Sequence, residues 1–411
     1  MDTIELADID LTDTEIYRNG FPHEVFTTLR SERPVSWHQY ADDYPGPHDP
    51  GFWALTKYED VQAANRNPEL FSAYDGPALA LQPQMSGLML VTMDGRDHAR
   101  QRKLISKGFT PRMVARLDEQ ARARAISIVE EAREHGTCDF VRDIAYKLPM
   151  HMIADIVGIP PEDREHVFTI TTQFLLGTEG GASEADHLAV QIAMFEYAQE
   201  LGRRKRSEPE DDVWTILSTV EIETDDGERT TLSESELDLF FLLLTIAGSE
   251  TTRNAISIGM LTLLDHPDQL EVMRTEPDAM RGAVEEILRW ASPVSYFARR
   301  ATRDTEVRGV PIAAGDRVTL WYPSANRDED AFDQPFNFDI GRNPNPHISF
   351  GGGGPHYCLG ANLARREITI LFEELLARTR EIEVVAPAAY ARIGIYSPVL
   401  VALETMPVRL S

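Results

Sequence analysis

Cysteine is nearly missing from this 411-residue chain: only Cys138 and Cys358 occur. Two thiols cannot staple a chain of this length, so a disulfide framework is excluded as the source of its stability. Long apolar runs are also missing. The two longest uncharged stretches, residues 76–93 and 343–364, are broken by Pro, Gly and amide side chains, whereas a membrane-spanning helix needs about 20 mostly apolar residues. The opening Met1-Asp2-Thr3-Ile4-Glu5 is acidic and has no basic start leading into an apolar core. No secretory signal is therefore legible, no membrane insertion is expected, and a cytoplasmic location is. Basic charge is scarce as well, with 40 Lys plus Arg against 67 Asp plus Glu and a net charge of −27. Such a surface repels phosphate backbones, which argues against nucleic-acid binding.

What is present suits a folded domain. Hydrophobic residues make up 42% of the chain, and the 26 Gly and 25 Pro are ordinary usage, so neither a disordered nor a collagen-like chain fits. No repeat or Gly/Ser-rich linker divides the sequence. Residues 34–40 and 51–56 read as short strands, and 58–67 as a helix stopped by Pro68. From Asp97 to about Leu217 helical apolar spacing prevails, as in Ala125, Ile128, Val129 and Ala132. Asp225-Asp226-Gly227 marks a turn. Ser233-Glu234-Ser235-Glu236 forms a capping box that opens a long helix reaching Leu264. Residues 239–246 of that helix are apolar on almost every face, which predicts burial at the centre of a large domain. A helix over 277–290 follows, then strands at 306–307, 310–312 and 317–321, a Gly-rich loop, and a helix over 359–378. The expected fold class is mainly α with a minor β region.

Three constellations could carry chemistry. The first is Phe350-Gly351-Gly352-Gly353-Gly354-Pro355-His356-Tyr357-Cys358-Leu359-Gly360, which runs into a helix. A cysteine at a helix N-terminus faces unpaired N–H groups and the positive end of the dipole, and both favour thiolate. Glycines ahead of it let backbone approach a large flat ligand. The bland alternative is a packed structural cysteine beside an ordinary turn. A phosphate loop or a cysteine hydrolase is disfavoured, because the Lys-Ser/Thr pair and a nucleophile–base geometry are both missing. The second is Ala247-Gly248-Ser249-Glu250-Thr251-Thr252, which sits inside the buried helix. Gly, an acid and hydroxyls there are costly unless something offsets them, unless this part of the helix simply meets solvent. The third is Glu286 and Arg289, an i, i+3 pair of a kind that usually lies on a solvated face.

Taken together, these motifs resemble the cytochrome P-450 family of haem-thiolate monooxygenases. The cysteine-loop pattern matches at Gly354, His356, Cys358 and Gly360. The oxygen-binding helix pattern matches at Ala247, Gly248, Glu250, Thr251 and Thr252, and Glu-x-x-Arg at Glu286 and Arg289. One departure is visible: the family's Phe stands seven residues before the cysteine, whereas here Phe350 stands eight before it. This longer loop looks like that of actinobacterial hydroxylases acting on sterol side chains and branched lipids.

The resemblance implies a single domain over residues 1–411 holding haem b between the long central helix and the cysteine-bearing helix. It implies that Cys358 is the axial metal ligand, with Ala247 and Gly248 beside the haem. Thr251 would handle dioxygen and Glu250 would relay protons. His98 and Arg102 (a His-x-x-x-Arg), Arg299 (in Arg-x-x-Thr-x-Asp) and His356 would meet the propionates, although His98 and Arg102 also fit a solvated helix face. Glu286, Arg289 and Arg342 would be structural. The segment 78–91, with Met85, Leu88 and Met89, would line the substrate pocket, joined by Val294, Tyr296, Phe297, Ile395 and Tyr396; plain core packing is the alternative. Flexible Met side chains and the lack of charge suit a bulky apolar substrate such as a sterol, terpenoid or branched fatty acid. Electrons from NAD(P)H would arrive through a ferredoxin and its reductase. Arg96, Arg100, Arg102, Lys103, Lys107 and Arg112, with Arg365 and Arg366, would form a basic docking face. A haem sensor or binding protein on the same scaffold is the alternative function; the Glu250-Thr251 pair argues against it, because a sensor needs no proton relay.

Overall fold

The computed structural model describes residues 6, 9–40, 49–79, 85–109, 111–176, 184–224, 227–391 and 399–411. One helix, Glu234–Leu264, runs through the middle of the molecule. Ser233 Oγ accepts from the N–H of Glu236 at 3.2 Å, and the Glu236 carboxylate accepts from the N–H of Ser233 at 2.9 Å, so two otherwise unpaired donors are satisfied at its start. The helices Lys147–Val157, Glu184–Ser207, Ala279–Ala291 and Ala361–Arg378 pack around it. Five of its hydroxyls are satisfied within the helix. Thr245, Ser249, Thr251, Ser257 and Thr262 each donate to the carbonyl one turn back, at 2.7–2.8 Å.

A five-stranded sheet lies beside this helical core in the order Val35–Gln39, Gly51–Leu55, Arg317–Trp321, Tyr296–Ala301, Phe71–Ser72. Gly51–Leu55 and Arg317–Trp321 pair in parallel, and the other pairs are antiparallel. Alternate residues feed two small cores, with Leu55, Val318 and Leu320 on one face and Phe52, Ala54 and Trp321 on the other. The strand Tyr296–Ala301 escaped the sequence reading because Arg299 and Arg300 interrupt its apolar pattern. Its place is set by pairing with residues far away in sequence.

Glu286 and Arg289 lie on no solvated face; both are completely buried. Arg289 grips Glu286 through two bonds of 2.6 and 2.8 Å and donates to the carbonyls of Asn326 and Pro335, while Arg342 adds a second guanidinium at 3.2 Å. Among the described residues, no helix is long and apolar enough to cross a membrane.

Candidate active site

The Gly-rich loop is shaped by four consecutive residues that a side chain would strain: Gly351 to Gly354 all have positive φ, between 66° and 102°. A Cβ on Gly354 would stand 2.6 Å from the Asn65 carbonyl, so the loop lies directly on the end of the helix Tyr58–Arg66. The extra loop residue is taken up in this turn, and the N–H of Cys358 still reaches the Phe350 carbonyl at 3.0 Å. The Phe350 ring packs under the Arg365 guanidinium, 4.4 Å from its centroid. Cys358 precedes the Gly360 N-cap, so it faces the helix start without belonging to it. Its surface is accessible although protein encloses it, as expected for a group lining an internal space. Burial pushes its thiol up, opposed by the Gly360 N–H, Arg102 and Arg365.

Four cationic or titratable side chains gather beside this thiol. The His98 and His356 rings lie 4.3 Å apart with their planes tilted by 35°, and His356 Nε2 meets Asp94 at 3.0 Å. Burial, then His356 and Arg102, lowers His98 to about 4, so it is neutral near pH 7. Burial would raise Asp94, but hydrogen bonds from His356 and Ser72 prevail and lower it. Arg102 donates to the Tyr357 carbonyl at 2.6 Å. Arg299 is 3% exposed, and its hydrogen bond goes to the carbonyl of Ala298. Neither guanidinium has a carboxylate partner among the described residues, and Asp94 is already spent on His356, Ser72 and the Ala73 N–H. A buried guanidinium beside a half-buried one, neither with an anion, is costly, so this cluster suits a dianionic ligand. Asp94 was not anticipated; it precedes a helix and reads as an ordinary cap.

On the central helix, Leu243, Leu244, Ala247, Gly248 and Thr251 form one face that is more accessible than Phe241, Thr245, Ser249 and Thr252 around them. Uniform burial is thus not observed: Ala247 is exposed in the middle of an otherwise buried helix. Gly248 lets the neighbouring helix approach, since a Cβ there would stand 3.0 Å from Ile153 Cδ1. Thr251 donates to the Ala247 carbonyl at 2.7 Å. Glu250 is buried and paired with Arg253 at 2.5 Å; burial raises its carboxyl and Arg253 opposes this. The alternative in which Glu250 and Arg253 simply meet solvent at a partly exposed helix end does not hold, because Glu250 is buried.

A sequence profile for the family Cytochrome P-450 matches residues 181–380. A steroid C26-monooxygenase of Rhodococcus jostii is 41% identical over 374 residues, covering 89% of this chain and 78% of that protein. A methyl-branched lipid omega-hydroxylase of Mycobacterium bovis is 41% identical over 427 residues, covering 98% of this chain and 95% of that one. The chain belongs to the cytochrome P-450 family. A solved Mycobacterium marinum cytochrome P-450 in complex with pseudoionone shares the fold, with a TM-score of 0.88 at 35% identity over 100% of this chain and 99% of that one. This cytochrome P-450 is therefore a monooxygenase of the mainly α fold with a minor sheet, and the cofactor of its family is haem. The cluster fits that group: haem carries two propionates, and the buried Arg299 and half-buried Arg102 both lack a carboxylate partner among the described residues.

Other sequence expectations for this P-450 fare differently. Met85 and Met89 are half-buried, and Leu88 is exposed. Val294 is half-buried and bridged to Leu400. Tyr296 does not stand on an accessible wall. It is fully buried in a core with Trp321, and its hydroxyl accepts the N–H of Leu79 at 3.2 Å. Ile395, Tyr396, residues 80–84 and the Arg112 side chain lie outside the described residues. Much of the expected basic face is neutralised: Arg365 is bound by Glu285, Arg366 by Asp118, and Arg100 by Glu236.

Proposed function

We propose that this cytochrome P-450 hydroxylates a bulky, largely aliphatic substrate, a sterol, terpenoid or methyl-branched fatty acid. Its electrons come from NAD(P)H through a reductase and a ferredoxin, and residues 1–411 form one haem domain. The observation that carries this reading is the accessible face of the central helix, where four apolar residues surround a single hydroxyl, that of Thr251. Relatives named for steroid and methyl-branched lipid oxidation support the substrate class.

Haem, when bound, supplies the iron that activates dioxygen and inserts one oxygen atom into a C–H bond. Cys358 would be its thiolate ligand, and the Gly360 N–H, Arg102 and Arg365 favour the negative sulfur. Arg102 and Arg299, with His98 and His356, would hold the propionates. Thr251 presents its hydroxyl among apolar neighbours and holds a proton at the reacting end. Glu250, turned toward Arg253, takes protons from the solvent side while the substrate side stays dry. Glu286, Arg289 and Arg342 keep the haem-side core rigid.

Carbon monoxide added to the reduced protein should give the red-shifted Soret band of a thiolate-ligated haem. Thr251→Ala should cut product formed per NAD(P)H consumed by at least about tenfold, within the usual worth of a positioned proton donor. Unchanged coupling would remove Thr251 from the relay. Sterols, terpenes and branched fatty acids should displace the haem-bound water, seen as a Soret shift; a response to small charged aromatics alone would overturn the substrate class.

A further inference from the structure

Behind the Glu286–Arg289 pair lies a buried corner with more positive charge than its carboxylates can match. Arg30, Arg289, Arg327 and Arg342 converge there. Arg30 is held by Glu329 at 2.9 and 3.1 Å. Arg289 and Arg342 share Glu286, whose oxygens are fully used. One accepts from Arg289 and the Asp339 N–H, the other from Arg289, Arg342 and Asn345. The neighbouring Asp328 is taken by Lys57 and the Tyr58 N–H, both at 2.8 Å.

Among the described residues, Arg327 is left without an anion. It is 2% exposed, lies over the Trp290 ring at 4.5 Å, and donates from Nη2 to the Trp290 carbonyl at 2.8 Å. Its Nε and Nη1 are buried with no partner among the described residues, and so is Nδ1 of His23, whose ring lies within electrostatic reach of Arg327. Burial, then the repulsion of Arg327, Arg30 and Arg289, keeps that imidazole neutral. A water could accept these hydrogen bonds but would leave the charge unmatched, and an uncompensated buried guanidinium is strongly unfavourable.

We propose that this corner binds a small monovalent inorganic anion of the chloride type, held by Nε–H and Nη1–H of Arg327 with His23 beside it. The anion would tie the helix His23–Glu32, which carries His23 and Arg30, to the core around Glu286. The proposal is independent of the oxygenase chemistry and goes beyond it.

Bromide tests it on the haem-loaded protein. Crystals grown in sodium bromide should show an anomalous peak in contact with Arg327 Nε and Nη1, and ordinary water density there without anomalous signal would overturn the proposal. In solution, the thermal midpoint should rise along a saturating curve with bromide, but not at equal ionic strength with sodium gluconate, whose anion is far bulkier than a halide. Arg327→Met should abolish that difference. Should this variant fail to fold, His23→Ala should weaken the bromide response severalfold. Identical midpoints in the two salts, or a full response in either variant, would count against the site.

Discussion

Glu367 is a buried acid on the cysteine-bearing helix, and its carboxyl makes no hydrogen bond among the described residues; burial alone pushes it up to about 8. An unfolded Glu titrates near about 4.3. Between that value and about 8 the folded chain keeps a proton that the unfolded chain has released, so stability falls as pH rises through this window and levels off above it. The slope is about 1.4 kcal/mol per pH unit while only the folded state holds the proton. Glu367→Gln keeps the shape without the charge, so urea denaturation should find the variant gaining on the parent at high pH and not near pH 4.5. An equal gain at both would show that the carboxyl is not titrating in place. Residue identity made some of this scale legible and some not. Cys358, Thr251 and Glu250 stand in short local patterns. Asp94, which orients His356, is 262 residues from it and became visible only once the chain had folded. Tyr296 was read as a pocket wall because it is aromatic and near the right motif. Nothing local reveals that its ring packs on Trp321.

At the scale of elements, the central helix works through what it lacks. Gly259 allows the helix Ala279–Ala291 to approach so closely that a Cβ would stand 2.6 Å from Ile287 Cγ2. Ile287 is fully buried next to Glu286, so Gly259→Ala must push that helix aside and should cost about 1–3 kcal/mol. The midpoint in urea should drop with an unchanged slope, and in the Ile287→Ala background, which lacks the Cγ atoms, the same substitution should cost less if the clash is the cause. The start of this helix was readable because Ser233 and Glu236 cap each other within one turn. The strand Tyr296–Ala301 was not. It carries two arginines, and its neighbours in the sheet come from residues 317–321 and 71–72, so only long-range pairing defines it.

For the molecule as a whole, the net charge of −27 sets the electrostatic background against which any acidic partner must dock. With Arg365, Arg366 and Arg100 each held by a carboxylate, the exposed Arg96, Lys103 and Lys107 remain as basic groups with no ion pair among the described residues. On the proposed ferredoxin route, Lys107→Glu should slow reduction by the ferredoxin severalfold at low ionic strength. The gap should close at about 0.5 M salt, where screening acts within a few ångströms. Substrate-induced Soret shifts should be unaltered, and equal reduction rates at low salt would move the docking site elsewhere.

The segment leading toward Met85 and Met89 is pinned to the sheet by main-chain and guanidinium contacts. The N–H of Ala298 donates to the Pro77 carbonyl at 2.7 Å, Arg317 to the Ala78 carbonyl at 2.5 Å, and the N–H of Leu79 to the Tyr296 hydroxyl. Any excursion that lifts this segment must expose the Ala298 and Leu79 amides to deuterium. Their exchange rates are therefore a clock for how often the wall opens, and a substrate that rests against it should slow both together.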